Sequence, residues 1–492
     1  MKLNDLLKYV KPLKIIGDTE KNITGINIDS RKIEENQMFV AIKGTQTDGH
    51  KFINKAIELG ATAILLEDIP EELISDNVTY IQVKSTEESV GKVATMFYGD
   101  PSRHLKLVGV TGTNGKTTTS NLIGHTLKEA GINFINNFEG ANMLDGIIST
   151  FAIQSKNDTK LAVIEIDEGS IKKVMQYITP TKFVINNFFR DQIDRFGEID
   201  TLIATIGEQL EGKNIQLILN SDDPFVTRLS KYGNNNIYFG IDKDAYSFTD
   251  YGISESKFCP SCGTELTYDH VHYSQLGYYH CENCDFKHQE TKYTVTKAKV
   301  EPFIELSINN EDSFSTRLAG DYNIYNLLAA YSLLKELNLD NDLIKNGLGS
   351  YTPKNGRMQS IRISESSMAL LNLAKNPAGL NASLAIGNPI KEQINYLLVL
   401  NDNGADGIDI SWIWDTDFNI MKNQNIKNII CSGKRAEELA LRIKYSDVNA
   451  NVVVRKEIKD AVKQLKNYQE KYALVIPNYT ALIATQKELE NN

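Results

Sequence analysis

The chain has 492 residues, enough at about 150 residues per domain for roughly three domains, and 41% are apolar, so it builds cores and is not a disordered chain. Its 53 basic and 63 acidic residues leave a net charge of -10. That excludes a chain whose main work is coating nucleic acid, which takes clustered cations, but not a local basic pocket for phosphate.

The opening MKLNDLLKYVKPLK predicts an amphipathic helix and lacks the apolar core and small-residue cleavage site of a signal peptide. No stretch approaches the roughly 18 apolar residues that a membrane helix needs. The expectation is a cytosolic chain without a transmembrane segment, free to work on a lipid-linked substrate at the inner face of the membrane. Next, 37-QMFVAIKG and 61-ATAILLED predict strands, with a helix over 48-DGHKFINKAIELGA that ends at a glycine. The turn signals of 98-YGDPSRHL mark a first domain boundary. A second alternating region starts at 106-KLVGV and continues through 161-LAVIEID, 182-KFVINN and 215-IQLILN, apolar runs that end in Asp or Asn. Ligands of parallel α/β proteins sit at such carboxyl ends. After the punctuated 350-SYTPKNGR comes a third block with 395-NYLLVLND, 426-IKNIICSG and 472-YALVIPN. The predicted domains are 1–105, 106–352 and 353–492, all of α/β class.

The segment 106-KLVGVTGTNGKTTTSNLIGHTLKEAG reads as a strand, a glycine-rich turn and a helix. That arrangement makes a phosphate cradle, because backbone N–H groups converge and the helix dipole favours an anion. Gly112, Thr113, Asn114 and Gly115 form the turn, with Lys116 placed for the β- and γ-phosphates and the Thr117 hydroxyl for Mg²⁺, followed by Thr118. The strict GxxxxGK[ST] pattern would need its first glycine at Val110, so this is a GTNGKT variant. A chance glycine-rich turn fits less well, since Lys-Thr-Thr-Thr and both flanking elements agree with a phosphate loop. Magnesium calls for an acidic partner. Glu165 is the first candidate and Asp167 the second, against a plain helix-capping role for Glu165.

Four of the five cysteines stand as 259-CPSC and 281-CENC, with 18 residues between Cys262 and Cys281. This is the spacing of a structural zinc ribbon, here residues 256–292, with Cys259, Cys262, Cys281 and Cys284 as a closed ligand set. A dithiol redox pair, or ligation by His270, His272 or His280, fits the spacing less well. The segment has no basic cluster, so a scaffold or docking role is expected. Cys431 is left over as a buried structural thiol.

GTNGKTT, 320-GDYNIYNLLAA and 355-NGRM together resemble the signatures of the Mur ligases, ATP-dependent three-domain enzymes of peptidoglycan synthesis. The four-cysteine insertion, 188-FFRDQIDRFGEID, 373-LAKNPAGLNASL and 401-NDNGADGIDISWIWDTDF are similar to the MurT branch from about residue 106 onward. The segment 27-NIDSRKIEENQMFVAIKGTQTDGHKFINKAIELGATAILLE is similar instead to the UDP-binding domain of the MurE branch, with Ser30 and Arg31 as candidate contacts or as a plain polar turn. No DNPR stretch occurs, which weakens the amino-acid-ligase reading.

The resemblance implies a central P-loop domain, a Rossmann-like C-terminal domain, and ATP with Mg²⁺ as cofactors. It implies amidation of the D-glutamate α-carboxylate of lipid II, or a related precursor, through an acyl phosphate. Ammonia would come from a GatD-like glutaminase subunit, since no cysteine here has the setting of a glutaminase nucleophile. By the same resemblance Asn326 contacts adenine, Arg357 contacts phosphate or acceptor carboxylate, and Asp409 is catalytic. For Asp409 and its neighbours Asp402, Asp406, Asp415 and Asp417, beside Trp412 and Trp414, the composition alone favours capping and packing. The alternative activity is a MurE-like ligase that adds an amino acid to UDP-MurNAc-dipeptide.

Overall fold

The protein is described from a computed structural model over residues 1–43, 48–70, 72–97, 105–137, 141–154, 159–189, 199–248, 256–354, 356–404, 406 and 409–491. The proposed boundary at 98–104, most of 188-FFRDQIDRFGEID, Asn355 and parts of the 401–408 motif lie outside these residues. The chain divides into two compact units, one of residues 1–111, 132–183 and 208–215, the other of 112–131, 184–207 and 216–492.

In the first unit a five-stranded sheet runs in the order Lys14–Ile16, Thr79–Gln82, Ala63–Leu66, Gln37–Val40 and Gly25–Asn27. All neighbours are parallel except the first pair. Its three inner strands are buried on both faces, as covered parallel strands are. Leu3, Leu6, Val90 and Val93 pack one face, and Ile33, Ile53 and Ala56 pack the other. The predicted opening helix is shorter than its pattern. It ends at Tyr9, Val10 turns extended, and Lys14 enters a strand. Pro12 is the reason, since it donates no hydrogen bond and pushes the residue before it out of the helical region. The predicted helix after residue 48 begins as a 3₁₀ turn, Gly49–Phe52, continues as Ile53–Glu58, and is followed by Gly60 at φ +107°. The same unit holds Lys106–Thr111 beside Leu161–Glu165, with Ile135–Asn136 beyond, all parallel.

In the second unit Gln216–Asn220, Ile237–Ile241 and Tyr293–Val300 are parallel neighbours. Phe303–Ile308 and Asp312–Ala319 then extend the sheet antiparallel, an addition the strand–helix alternation did not predict. The signal is local: residues 293–300 alternate in burial, and Asn309 and Asn310 both adopt positive φ at the turn. The hairpin Thr267–Tyr273 and Leu276–His280 carries the cysteines at its base. Six further strands follow in the order Arg357–Arg362, Met368–Asn372, Tyr472–Pro477, Ile394–Val399, Ile426–Ser432 and Asn451–Val454, parallel after the first pair. All three strands predicted for this block are present. Cys431 is buried in it, and burial pushes its thiol up to about 12.

Candidate functional site

The phosphate loop leaves the buried strand Lys106–Thr111 and enters the helix Lys116–Glu129. Two glycines make the turn possible. Gly112 has φ +137°, and a Cβ there would lie 3.1 Å from the Asn187 backbone. Gly115 has φ +80°, and a Cβ there would meet Asn326 Oδ1 at 1.8 Å. Gly115 is also the N-cap, so no side chain caps this helix. Helix N-terminal N–H groups and the helix dipole suit a phosphate. Lys116 Nζ donates back to Thr113 O at 3.5 Å, while Thr117 and Thr118 are buried.

Side chains far away in sequence hold this turn. Asn187 Oδ1 accepts from Asn114 N at 2.9 Å, and its Nδ2 donates to Asn114 O at 3.1 Å. Asn186 Nδ2 donates to Thr119 Oγ1 at 2.8 Å and to Asn326 Oδ1 at 3.2 Å. Asn326 Nδ2 donates to Asn323 Oδ1 at 2.8 Å. So Asn326, expected at the adenine, lies buried against the Gly115 turn. Asn186 and Asn187 were not among the predicted site residues. Their signal was the strand 182-KFVINN ending in two amides.

In the first unit Glu165 ends its strand as a buried carboxylate, 1% exposed. Asn142 Nδ2 donates to its Oε1 at 2.7 Å, and Asn137 pins its backbone N and O at 2.8 Å each. Asp167, half-buried, is the residue that precedes the Glu168–Ser170 helical turn. In the same unit Ser30 is buried, while Arg31 is exposed and pairs with Asp29 through Nε and a terminal nitrogen, both at 2.9 Å.

The four ribbon thiols converge. Their Sγ atoms all lie within 4.8 Å of one another, with the pairs Cys259–Cys284 and Cys262–Cys281 at 3.4 Å. A tetrahedral ion with Zn–S bonds of about 2.3 Å needs sulfurs roughly 3.8 Å apart, so the set fits zinc with no position left for chemistry. Without an ion the thiols share their protons unequally: the Thr264 hydroxyl and backbone lower Cys262, and the neighbouring sulfurs raise Cys284. The histidines face elsewhere. His272 Nε2 donates to Ile241 O at 3.0 Å, and His280 lies between Glu282 and Asp269.

The acidic loop is shaped mostly by capping. Asp409, exposed, accepts from Ser411 N at 2.8 Å, and that bond holds its carboxyl below the usual aspartate range. Asp417 accepts from Asn419 N at 3.0 Å, Asp406 accepts from Thr480 N at 2.8 Å, and Asp402 lies 3.6 Å from Arg435. Trp412 packs on the core and lines a small cavity of about 20 Å³ with Leu398, Leu439 and Ile476. Trp414 is exposed, with the Arg442 guanidinium 5.3 Å above its ring. Arg357 is exposed at the start of its strand, and its charge acts on the nearby Tyr322 and Tyr351.

Comparison with known proteins follows this geometry. Residues 22–98 match the Mur ligase family catalytic domain, residues 110–334 the Mur ligase middle domain, and residues 373–482 the MurT ligase C-terminal domain. A Staphylococcus aureus (strain COL) relative, the subunit MurT of lipid II isoglutaminyl synthase (glutamine-hydrolyzing), is 48% identical over 386 residues, covering 78% of this chain and 87% of that one. A Bacteroides thetaiotaomicron UDP-N-acetylmuramoyl-L-alanyl-D-glutamate–2,6-diaminopimelate ligase is 30% identical over 440 residues, covering 82% and 78%. The crystal structure of MurF from Acinetobacter baumannii shares the fold at TM-score 0.75 and 15% identity, over 100% of this chain and 99% of that one.

Proposed function

The chain belongs to the Mur ligase family and is an ATP-dependent ligase, and from that premise we propose that it is the synthetase subunit of a glutamine-hydrolysing amidotransferase acting on lipid II. The observation that carries this reading is the 48% identity to the MurT subunit, which covers most of both chains. The acceptor is the α-carboxylate of D-glutamate in the stem peptide. A carboxylate is a poor electrophile. Transfer of the γ-phosphoryl group from ATP makes it an acyl phosphate, ammonia attacks the carbonyl carbon, and phosphate leaves as D-isoglutamine forms. The protein's part is positioning and charge neutralisation.

In this reading Gly112–Thr118 cradle the phosphates, Lys116 neutralises the transferred group, and Thr117 and Glu165 are the magnesium ligands. Asn326 and Arg357 serve the nucleotide, and Asp409 serves ammonia delivery. The four cysteines hold a structural zinc. Residues 1–105, 106–352 and 353–492 are the three domains, the first retaining a UDP-site likeness. Ammonia comes from a separate glutaminase chain, and the enzyme works in the cytoplasm at the inner membrane face. No helix among the described residues is long and apolar enough to cross a membrane.

The test supplies the purified chain with ATP, Mg²⁺ and ammonium chloride, and either lipid II or UDP-MurNAc-dipeptide with lysine or diaminopimelate. Mass spectrometry reads the product. Amidated lipid II is the expected result. An amino acid added to the nucleotide precursor would overturn the proposal in favour of a MurE-like ligase.

A further inference from the structure

A run of contacts links the four-cysteine cluster to the phosphate loop, all of it inside the second unit. At the base of the hairpin, Cys259 and Cys281 pack with Leu266 and Tyr279. At its tip Ser274 adopts φ +55°, a left-handed conformation that residues other than glycine rarely take. This turn buries Gln275 completely. Gln275 Nε2 donates to Phe188 O at 2.8 Å, Ser274 Oγ donates to Gln275 Oε1 at 2.8 Å, and Tyr268 OH donates to Gln275 O at 3.2 Å. Beside it the buried Tyr273 stacks on Phe189, centroids 6.2 Å apart and planes 10° from parallel. Asp223 Oδ2 accepts from Phe188 N at 2.9 Å, so both backbone polar atoms of Phe188 are held. The next residue meets the phosphate loop. Phe189 N donates to Thr113 Oγ1 at 3.1 Å, and Thr113 N donates to Asn187 O at 2.9 Å.

We propose that Tyr273 and Gln275 are positioning residues for the nucleotide loop, and that metal held by the four cysteines strengthens nucleotide binding by fixing the hairpin that carries them. This goes beyond a scaffold role for the ribbon, and it rests on the reading of residues 112–118 as the nucleotide cradle. The physical argument has two parts. An isolated two-stranded hairpin is marginal in water, so its order depends on the cluster at its base and on its anchorage to residues 221–227, where Tyr279 OH bonds Thr227 Oγ1 at 2.6 Å. A buried amide side chain is costly to leave unpaired, so an ordered tip holds residues 187–189 against Thr113, and a disordered one releases them.

The experiment uses the full chain and measures Mg-ADP affinity by calorimetry and bound metal by atomic emission. Tyr273→Ala and Gln275→Ala are each expected to weaken ADP about tenfold with the metal retained, the size of one lost buried contact. Tyr273→Phe keeps the stack and is expected to keep the affinity. Stripping the metal with a chelator is expected to speed amide hydrogen exchange over residues 113–118, and added zinc is expected to restore protection. Wild-type ADP affinity in metallated Tyr273→Ala and Gln275→Ala would overturn the proposal. Should Tyr273→Ala fail to fold, Tyr273→Leu replaces it, keeping bulk and losing the stack. Lys116→Ala separates the two readings. If it binds ADP like wild type, the cradle assignment itself is lost. If it alone is weakened, the cradle stands and the ribbon's role falls.

Discussion

The phosphate loop and the Asp409–Asp417 stretch of the acidic, aromatic loop are both polar turns, and the side chains that fix them come from different distances along the chain. The first is clamped by asparagines 67 to 207 residues distant, through the bonds Thr119–Asn186, Asn114–Asn187 and Thr119–Asn326. In the second, Asp409 and Asp417 each bond a backbone N–H only two residues on, although the start of the same loop is tied to Thr480 through Asn403 and Asp406. A turn fixed by the rest of the fold is shaped before its ligand arrives, which is what charge stabilisation at a transferring phosphoryl group requires. At Asp409 and Asp417 the local caps leave the carboxylates facing solvent, where another molecule can meet them.

This contrast can be broken by experiment. The largest effect is expected for Lys116→Ala, with ATP-dependent amidation falling about 100- to 1,000-fold, read by phosphate release with lipid II and ammonia. Retained activity would remove the phosphate loop from the chemistry. Next comes Asp409→Asn, expected to lower glutamine-driven turnover of the two-subunit enzyme about 100-fold with only a small change in melting temperature, because the Asn oxygen still accepts from Ser411 N. A drop in melting temperature of equal weight would return Asp409 to a capping role. Gly115→Ala is expected to destabilise the protein by about 1–3 kcal/mol in denaturant unfolding, since it forces a side chain into left-handed backbone and onto Asn326. No comparable cost is expected at Gly404, where a Cβ meets open space.

The smallest effects concern groups held by their own neighbours. Asp409 is held below the usual aspartate range in the folded protein. Its contribution to stability is therefore present above the unfolded aspartate pKa and lost as pH falls through the folded value. Carboxyl-carbon NMR titration should show a midpoint below that of an unstructured aspartate, and a midpoint at or above it would contradict the Ser411 bond. Arg31→Ala should leave the melting temperature unchanged within error, because the Asp29 pair lies at the surface.

Much of this was legible in the sequence, for identifiable reasons. Strands of the parallel sheets are buried on both faces, so 161-LAVIE and 472-YALVIP read as unbroken apolar runs. The glycine loop and the paired cysteines are chemistry written at fixed spacing. The strands between 293 and 319 were missed because their exposed faces dilute the apolar signal to an alternation. The clamping amides could not be paired from sequence, because an asparagine at a strand end carries no mark of which distant loop it will hold. Asn326 shows the same limit, with its motif recognisable and its place beneath Gly115 visible only once the chain is folded.

Both tryptophans of the chain, Trp412 and Trp414, fall in one short helical turn, Ser411–Trp414. One is seated on the apolar core, and the other is half-exposed under a guanidinium. Excited at wavelengths beyond tyrosine absorption, the native protein therefore fluoresces from this loop alone. Its emission is a built-in, label-free reporter, so a spectral change on adding a second protein, and none on adding nucleotide, would assign the contact to this loop.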